Sequence, residues 1–231
     1  MLEVKVQKKL GSVFINVEFS APSDGITVLY GHSGAGKTSV VNMLSGLLTP
    51  DSGRISINGR VLFDSGAGVN VPVHKRRAGY IFQDKRLFPF LSVRGNLLFG
   101  AEKGYDRADF ENIVSMLGIE NLLDRKVTTL SGGEAQRVAI GRALLSEPEY
   151  LLMDEPMSSL DSSRKNELIP YIDKIPERVG IPVILVTHAY DELTRLADYV
   201  VLLDGGVSVR QGTKNRVIHE ITYVTHQGIA L

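Results

Sequence analysis

One stretch limits what this chain can fold into more than any other: Gly31, His32, Ser33, Gly34, Ala35, Gly36, Lys37 and Thr38, with Ser39 behind them. A short apolar run, Ile26-Thr-Val-Leu-Tyr30, leads into it, and a helical stripe of Val40, Val41, Leu44, Leu47 and Leu48 leads out. Strand, glycine loop and helix in the spacing G-x-x-x-x-G-K-[ST] let backbone N–H groups wrap the phosphates of a nucleotide. In that pattern Lys37 reaches the outer phosphates and the Thr38 hydroxyl holds a magnesium ion. A run that is apolar throughout is a strand buried on both faces. The expected fold is therefore α/β: a P-loop core, a mostly parallel sheet flanked by helices.

Composition allows such a core. Of 231 residues, 43% are hydrophobic, and 26 Lys and Arg balance 26 Asp and Glu. No global field draws the chain to nucleic acid or anionic lipid. His74-Lys-Arg-Arg77 is the clearest charge cluster, and its expected role is a solvated loop. With no cysteine, disulfides, thiolate metal sites and cysteine catalysis are excluded. No apolar run approaches the ~18 residues that would span a bilayer, and no signal-peptide pattern opens the chain, so membrane work would go through partners.

Around the glycine loop, Leu2–Val6 and Val13–Phe19 read as strands. The helix from Lys37 is expected to stop at Pro50 and Asp51-Ser-Gly53. Arg54–Ile57 and Arg60–Phe63 flank the hairpin signal Asn58-Gly59, Asp64–Asn70 reads as a loop, and Ala78–Phe82 as another strand. Helical spacing then takes over, which predicts a helical subdomain over about 88–145 inserted in the core beside an antiparallel β subdomain. Tyr150–Met153 and Val183–Val186 are further buried-strand candidates, and Leu202–Val209 reads as a hairpin. The last 20 residues carry no motif, and the whole chain is expected to form one domain.

Chemistry gathers at the strand ends. Asp154 and Glu155 follow an apolar run, where carboxylates face bound phosphates in doubly wound sheets. Asp154 suits a direct or water-mediated magnesium contact, and Glu155 suits a general base for the attacking water. His188, after Val183–Thr187, would bond a terminal phosphate or hold the water and base in line. Gln83, after Tyr80–Phe82, would touch magnesium or the water through its amide oxygen. A second glycine-rich string, Ser131, Gly132, Gly133 and Glu134, has capping-box spacing at a helix start. Two glycines there cost about 1 kcal/mol of helix stability each, which favours a second anion site over a plain cap. Such a site needs a second nucleotide or a second copy of the chain.

In order, GHSGAGKT (31–38), the glutamine of YIFQ (80–83), LSGGE (130–134), LLMDE (151–155), Ser159-Leu160-Asp161 and His188 resemble the ATP-binding-cassette ATPases over residues 1 to about 212. The resemblance implies Mg²⁺-dependent ATP hydrolysis in a head-to-tail homodimer, where LSGGE of one copy closes on ATP held by the loop of the other and Asp161 lies at the seam. It also implies integral-membrane permease subunits as partners, with Gln83 and the helical insertion sensing them. A periplasmic or extracellular solute-binding protein takes part indirectly, nucleic acid has no part, and the subunit sits peripherally on the cytoplasmic side of the membrane. Residues 74–100, 117–125 and 158–172 are most similar to the ATPase subunit of molybdate or tungstate importers; sulfate, phosphate and iron importers share many of them. Nucleic-acid clamps, ribosome-binding cassettes and exporters are the rival readings. Two features depart from the pattern. The aromatic that stacks on adenine is replaced near its place by Lys8-Lys9-Leu10 and then Phe14, and the chain stops at Leu231, too soon for a C-terminal oxyanion-binding domain.

Overall fold

The computed structural model describes residues 1–101 and 105–226. Strands β1 (Leu2–Leu10) and β2 (Val13–Ala21) form a hairpin, followed by β3 (Ile26–Tyr30), helix α1 (Lys37–Ser45), β4 (Ser52–Ile57), β5 (Arg60–Asp64), the short β6 (Val69–Asn70) and β7 (Ala78–Ile81). Helices α2 (Val93–Gly100), α3 (Arg107–Met116) and α4 (Gly132–Leu144) intervene before β8 (Tyr150–Asp154). Then come α5 (Ser162–Asp173), α6 (Ile175–Val179), β9 (Val183–Thr187), α7 (Tyr190–Leu196), β10 (Tyr199–Asp204), β11 (Val207–Thr213) and α8 (Lys214–His226).

All the strands join one sheet in the order β6-β5-β4-β1-β2-β11-β10-β3-β9-β8-β7. The half from β10 to β7 is parallel, and β1, β2, β4, β5 and β6 pair antiparallel. Composition explains the division. β1 and β2 alternate, burying Leu2, Val4, Val6, Ile15, Val17 and Phe19 on one face. By contrast β8 and β9 are buried at every position, because helices cover both sides. Leu29, Leu152, Ile184 and Val186 meet Val40, Val41 and Leu44 of α1 on one face. Val28, Leu151, Met153 and Leu185 face the other way, toward a core with Val138 of α4, Leu168 of α5 and Leu193 of α7. Thus α1 and α4 lie on opposite sides of the sheet.

Asn58 and Gly59 both have positive φ, the turn that a two-residue hairpin needs. Three local expectations are corrected. Helix α1 ends at Ser45, with Gly46 left-handed behind it, four residues before Pro50, and Asp51-Ser-Gly53 leads into a strand. The reason is Arg76, whose guanidinium takes the carbonyls of Met43 and Leu44 at 2.7 and 3.0 Å and occupies the space where the helix would continue. A Cβ on Gly46 would stand 2.7 Å from Arg76 Nε. The same residue corrects the solvated-loop reading of 74–77: Arg76 is fully buried, bonded also to Val71 O and Asn70 Oδ1, while its neighbours are exposed. Finally, Val69–Asn70 pairs with β5 instead of lying in a loop.

Candidate nucleotide-binding site

Parallel register aligns the ends of three strands. Tyr30 pairs with Thr187, and Asp154 with Val186, so the loop from Gly31, the pair Asp154-Glu155 and His188 leave the same edge of the sheet. Gln83 follows β7, whose Ile81 pairs with Met153. Ligands of such sheets bind beyond the carboxyl ends of the strands.

The loop is shaped by close packing. A Cβ on Gly31 would lie 2.2 Å from the Leu203 carbonyl oxygen, so only glycine fits there. Ala35 is buried and its N–H bonds His32 O, whereas Ser33 and Gly34 are exposed. Gly36 stands at the N-cap of α1 with φ 94° and caps nothing with a side chain. The first-turn N–H groups of α1, with Ser39 in that turn, are therefore left to an anion, and the helix dipole favours one. The turn at Gly205-Gly206 braces the loop: Gly206 Cα is 3.6 Å from a Cβ on Gly36, and Ile15 packs 3.7 Å from the same point. Phe14, next to Ile15 on β2, leaves its ring half exposed.

Lys37 is almost wholly buried, and its Nζ donates to Gly31 O and His32 O, both at 2.8 Å. Burial lowers its pKa, against the pull of Glu155 and Asp154. Thr38 Oγ1 donates to Asp154 Oδ1 at 3.0 Å, which brings together two hard oxygen groups of the kind that hold Mg²⁺. Asp154 is buried, and desolvation holds its carboxyl above the usual range despite the Thr38 bond. Glu155 adopts φ 47°, a strained setting for a residue with a Cβ, fixed by its N–H to Val186 O at 3.1 Å. Its Oε1 meets His188 Nδ1 at 3.1 Å. A carboxylate against an imidazole at the strand edge is an arrangement for positioning and deprotonating water.

Other predicted residues stand apart. Gln83 Nε2 turns to Ser158 Oγ at 3.3 Å, and Lys85 Nζ reaches Ser159 Oγ at 3.1 Å. Asp161 caps α5 by accepting from Arg164 N at 3.0 Å. Ser131 and Glu134 form both bonds of the capping box, which lowers the Glu134 pKa chiefly through the Ser131 N–H. Gly133 is buried, yet a Cβ there would meet nothing within 4 Å, and the exposed residue of the turn is Ser131. Gly132 has a packing reason as well, since its Cβ would stand 2.9 Å from Leu160 Cδ2.

Two features escape reading in sequence. His32 Nε2 contacts Asp204 Oδ1 at 2.8 Å while Nδ1 lies 2.7 Å from Ser33 O, and these acceptors, the Ser33 carbonyl first, raise its pKa. The signal was Asp204 ahead of the two turn glycines, read only as a hairpin. Buried Thr187 and Glu192 and half-buried Lys165 form a polar chain behind His188, which leaves no sequence motif.

A glycine loop between β3 and α1, flanked by carboxylates on neighbouring strand ends, defines a P-loop nucleotide-binding fold. Comparison narrows this further. Residues 14–158 match a sequence profile described as ABC transporter, and the chain belongs to that family. It is 50% identical, over 94% of its own length, to the molybdenum import ATP-binding protein ModC of Vibrio vulnificus. It is 53% identical over 89% of its length to that of Pasteurella multocida. The chain spans 58% of the length of each of these relatives. Among solved structures, the cassette MJ0796, a dimer in a post-hydrolysis state with ADP and Pi, matches with TM-score 0.73 and 29% identity over 93% of this chain and 99% of its own. cbiO1 of Clostridium perfringens, part of the transporter complex cbiONQ, matches with TM-score 0.80 and 27% identity over 100% and 95%.

Proposed function

We propose that this chain binds ATP with Mg²⁺ and hydrolyses it, as the cassette subunit of an importer for molybdate or a related small oxyanion. The observation that carries the reading is the meeting of two pairs beside the glycine loop: Thr38 with Asp154, and Glu155 with His188. Thr38 and Asp154 would hold Mg²⁺, joined by Gln83 if its amide leaves Ser158, and the ion would offset phosphate charge. The loop N–H groups from Gly31 to Ser39 would cradle the phosphates. Lys37, now bonded to loop carbonyls, supplies a charge already desolvated and aimed inward. Glu155 takes a proton from water that His188 helps to orient.

The ModC relatives favour an oxyanion as the cargo, and the dimeric cassette bound to ADP and Pi favours ATP turnover by a pair of copies, which the family resemblance would set head to tail. In such a pair Ser131, Gly132, Gly133 and Glu134 face the partner's nucleotide, with Asp161 at the seam. No described helix is long and apolar enough to cross a membrane; as in the family it resembles, coupling to transport would run through permease subunits. Phe88, Phe90 and Phe99 cluster beyond Gln83, with Phe90 and Phe99 strongly exposed, and offer that permease an apolar contact on the cytoplasmic side of the membrane. A solute-binding protein would act on the far side of that permease.

The test is ATP turnover by the purified chain. Glu155→Gln should keep nucleotide affinity and slow hydrolysis by about 10²–10⁴-fold, as loss of a general base does. Lys37→Ala should abolish binding and turnover together. Equal activity in all three proteins would overturn the assignment.

A further inference from the structure

His188 lies in a two-residue link between β9 and α7, half exposed, and its ring touches Glu155. Something must hold so short a link at one angle. Thr187, buried just before it, donates its hydroxyl to Glu192 Oε2 at 2.6 Å and accepts from the Ala189 N–H at 3.0 Å. One hydroxyl therefore bridges the backbone beyond His188 to a carboxylate in the first turn of α7. Glu192 is buried too, and its other oxygen takes Lys165 Nζ from α5 at 2.7 Å. The Lys165 backbone N–H bonds in turn to Asp161 O at 2.9 Å, in the first turn of α5.

A buried ion pair is poor evidence of stabilisation, since apolar side chains of similar volume pack α7 on α5 at least as well. What hydrogen bonds add is direction: they fix the 187–189 peptide to the fraction of an ångström that a working side chain needs. We propose that Thr187, Glu192 and Lys165 are positioning residues, a largely buried relay that aims His188 at Glu155 and ties that aim to the segment ending in Asp161. The inference rests on the reading above, in which Glu155 and His188 act on bound nucleotide. It adds a route by which displacement at Asp161, some distance from the phosphates, re-aims His188.

Thr187→Val keeps the shape and removes the hydroxyl, and Thr187→Ser keeps the hydroxyl. In the full chain Thr187→Val should lower kcat for ATP by about 10- to 100-fold, the size expected for a misplaced group, with nucleotide affinity unchanged. Thr187→Ser should recover most of that loss. A second readout needs no turnover. In the nucleotide-free protein the His188 ring ¹H–¹⁵N signals should move on Glu155→Gln in the wild-type and Thr187→Ser backgrounds, and stay still in Thr187→Val. If Thr187→Val fails to fold, Lys165→Met should show the same split between kcat and affinity, with Lys165→Arg restoring rate. Unchanged kcat in the hydroxyl-free variant, or a His188 signal that still follows Glu155→Gln there, overturns the relay. A wild-type chain that turns over no ATP overturns the functional reading instead, and the ring signals still decide the relay.

Discussion

Lys37 and Asp154 are each driven by burial toward the uncharged form, so the nucleotide-free protein carries two groups that would be more comfortable outside. For Asp154 the sign is plain. Its folded pKa is raised, the folded state binds more protons than the unfolded chain, and stability falls as pH climbs upward from the ordinary carboxylate value of 3.8. Asp154→Asn keeps an acceptor for Thr38 and removes the ionisation, so its nucleotide-free Tm should exceed that of wild type at neutral pH. The same variant should lose Mg²⁺-dependent nucleotide binding; a lower Tm would count against the desolvation account. His32 runs the other way. Two oxygen acceptors raise its pKa, so the stability it lends is complete below the ordinary 6.5 and disappears as pH rises through the raised value. Thermal melts of wild type and His32→Gln should differ most below the ordinary histidine value of 6.5 and converge as pH rises past the raised one. Both residues stand in motifs that are plain in sequence. Their strain is not, because it depends on Asp204 and on burial that only the folded chain creates.

Helix α1 presents the phosphate loop, and its other end decides how firmly. The Leu44 carbonyl accepts from Arg76 and from the Tyr150 hydroxyl, and Met43 O accepts from Arg76. Arg76→Met keeps much of the volume but leaves those carbonyls short of donors, so unfolding free energy should drop by about 2–4 kcal/mol in urea titration, given 1–3 kcal/mol per orphaned group. A change under about 0.5 kcal/mol, the level of an ordinary surface site, would show that the carbonyls find other donors. Sequence alone placed Arg76 in solvent, because a run of four basic residues usually is solvated and a carbonyl-lined pocket leaves no trace in composition. The same blindness set the end of α1 at Pro50. The apolar runs at 26–30, 150–153 and 183–186 misled no one, since strands buried on both faces need no partner to be recognised. Their carboxyl ends carried Asp154, Glu155 and His188 to one edge, which parallel register then aligned. The Thr187–Glu192–Lys165 chain was invisible for the opposite reason: it exists where α5 and α7 pack, and its members are ordinary surface-type residues.

Across the whole molecule the two glycine motifs are kept apart. Strands β9 and β8 separate β3 from β7, about 14 Å at 4.8 Å per strand, and α4 packs against β7 on the face of the sheet opposite α1. Within one chain, then, Ser131–Glu134 cannot close on a phosphate held by Gly31–Thr38. A structural cap accounts for Ser131 and Glu134, and packing on Leu160 for Gly132; Gly133 is buried with room for a Cβ, so packing does not demand a second glycine, and Ser131 leaves the helix start exposed. A second copy, turned so that each α4 meets the other's loop, gives that exposed helix start a use. The Glu155→Gln chain should accordingly double its mass in solution when ATP is added and stay single without nucleotide. Ser131→Arg in that background removes one capping bond and puts a long side chain over the exposed helix start. It should cost about 1 kcal/mol of stability, as other lost caps do, and abolish the ATP-dependent dimer altogether. A doubled mass that survives Ser131→Arg would leave Ser131 and Glu134 as a helix cap and nothing more, and the partner's nucleotide would have to be gripped by some other surface.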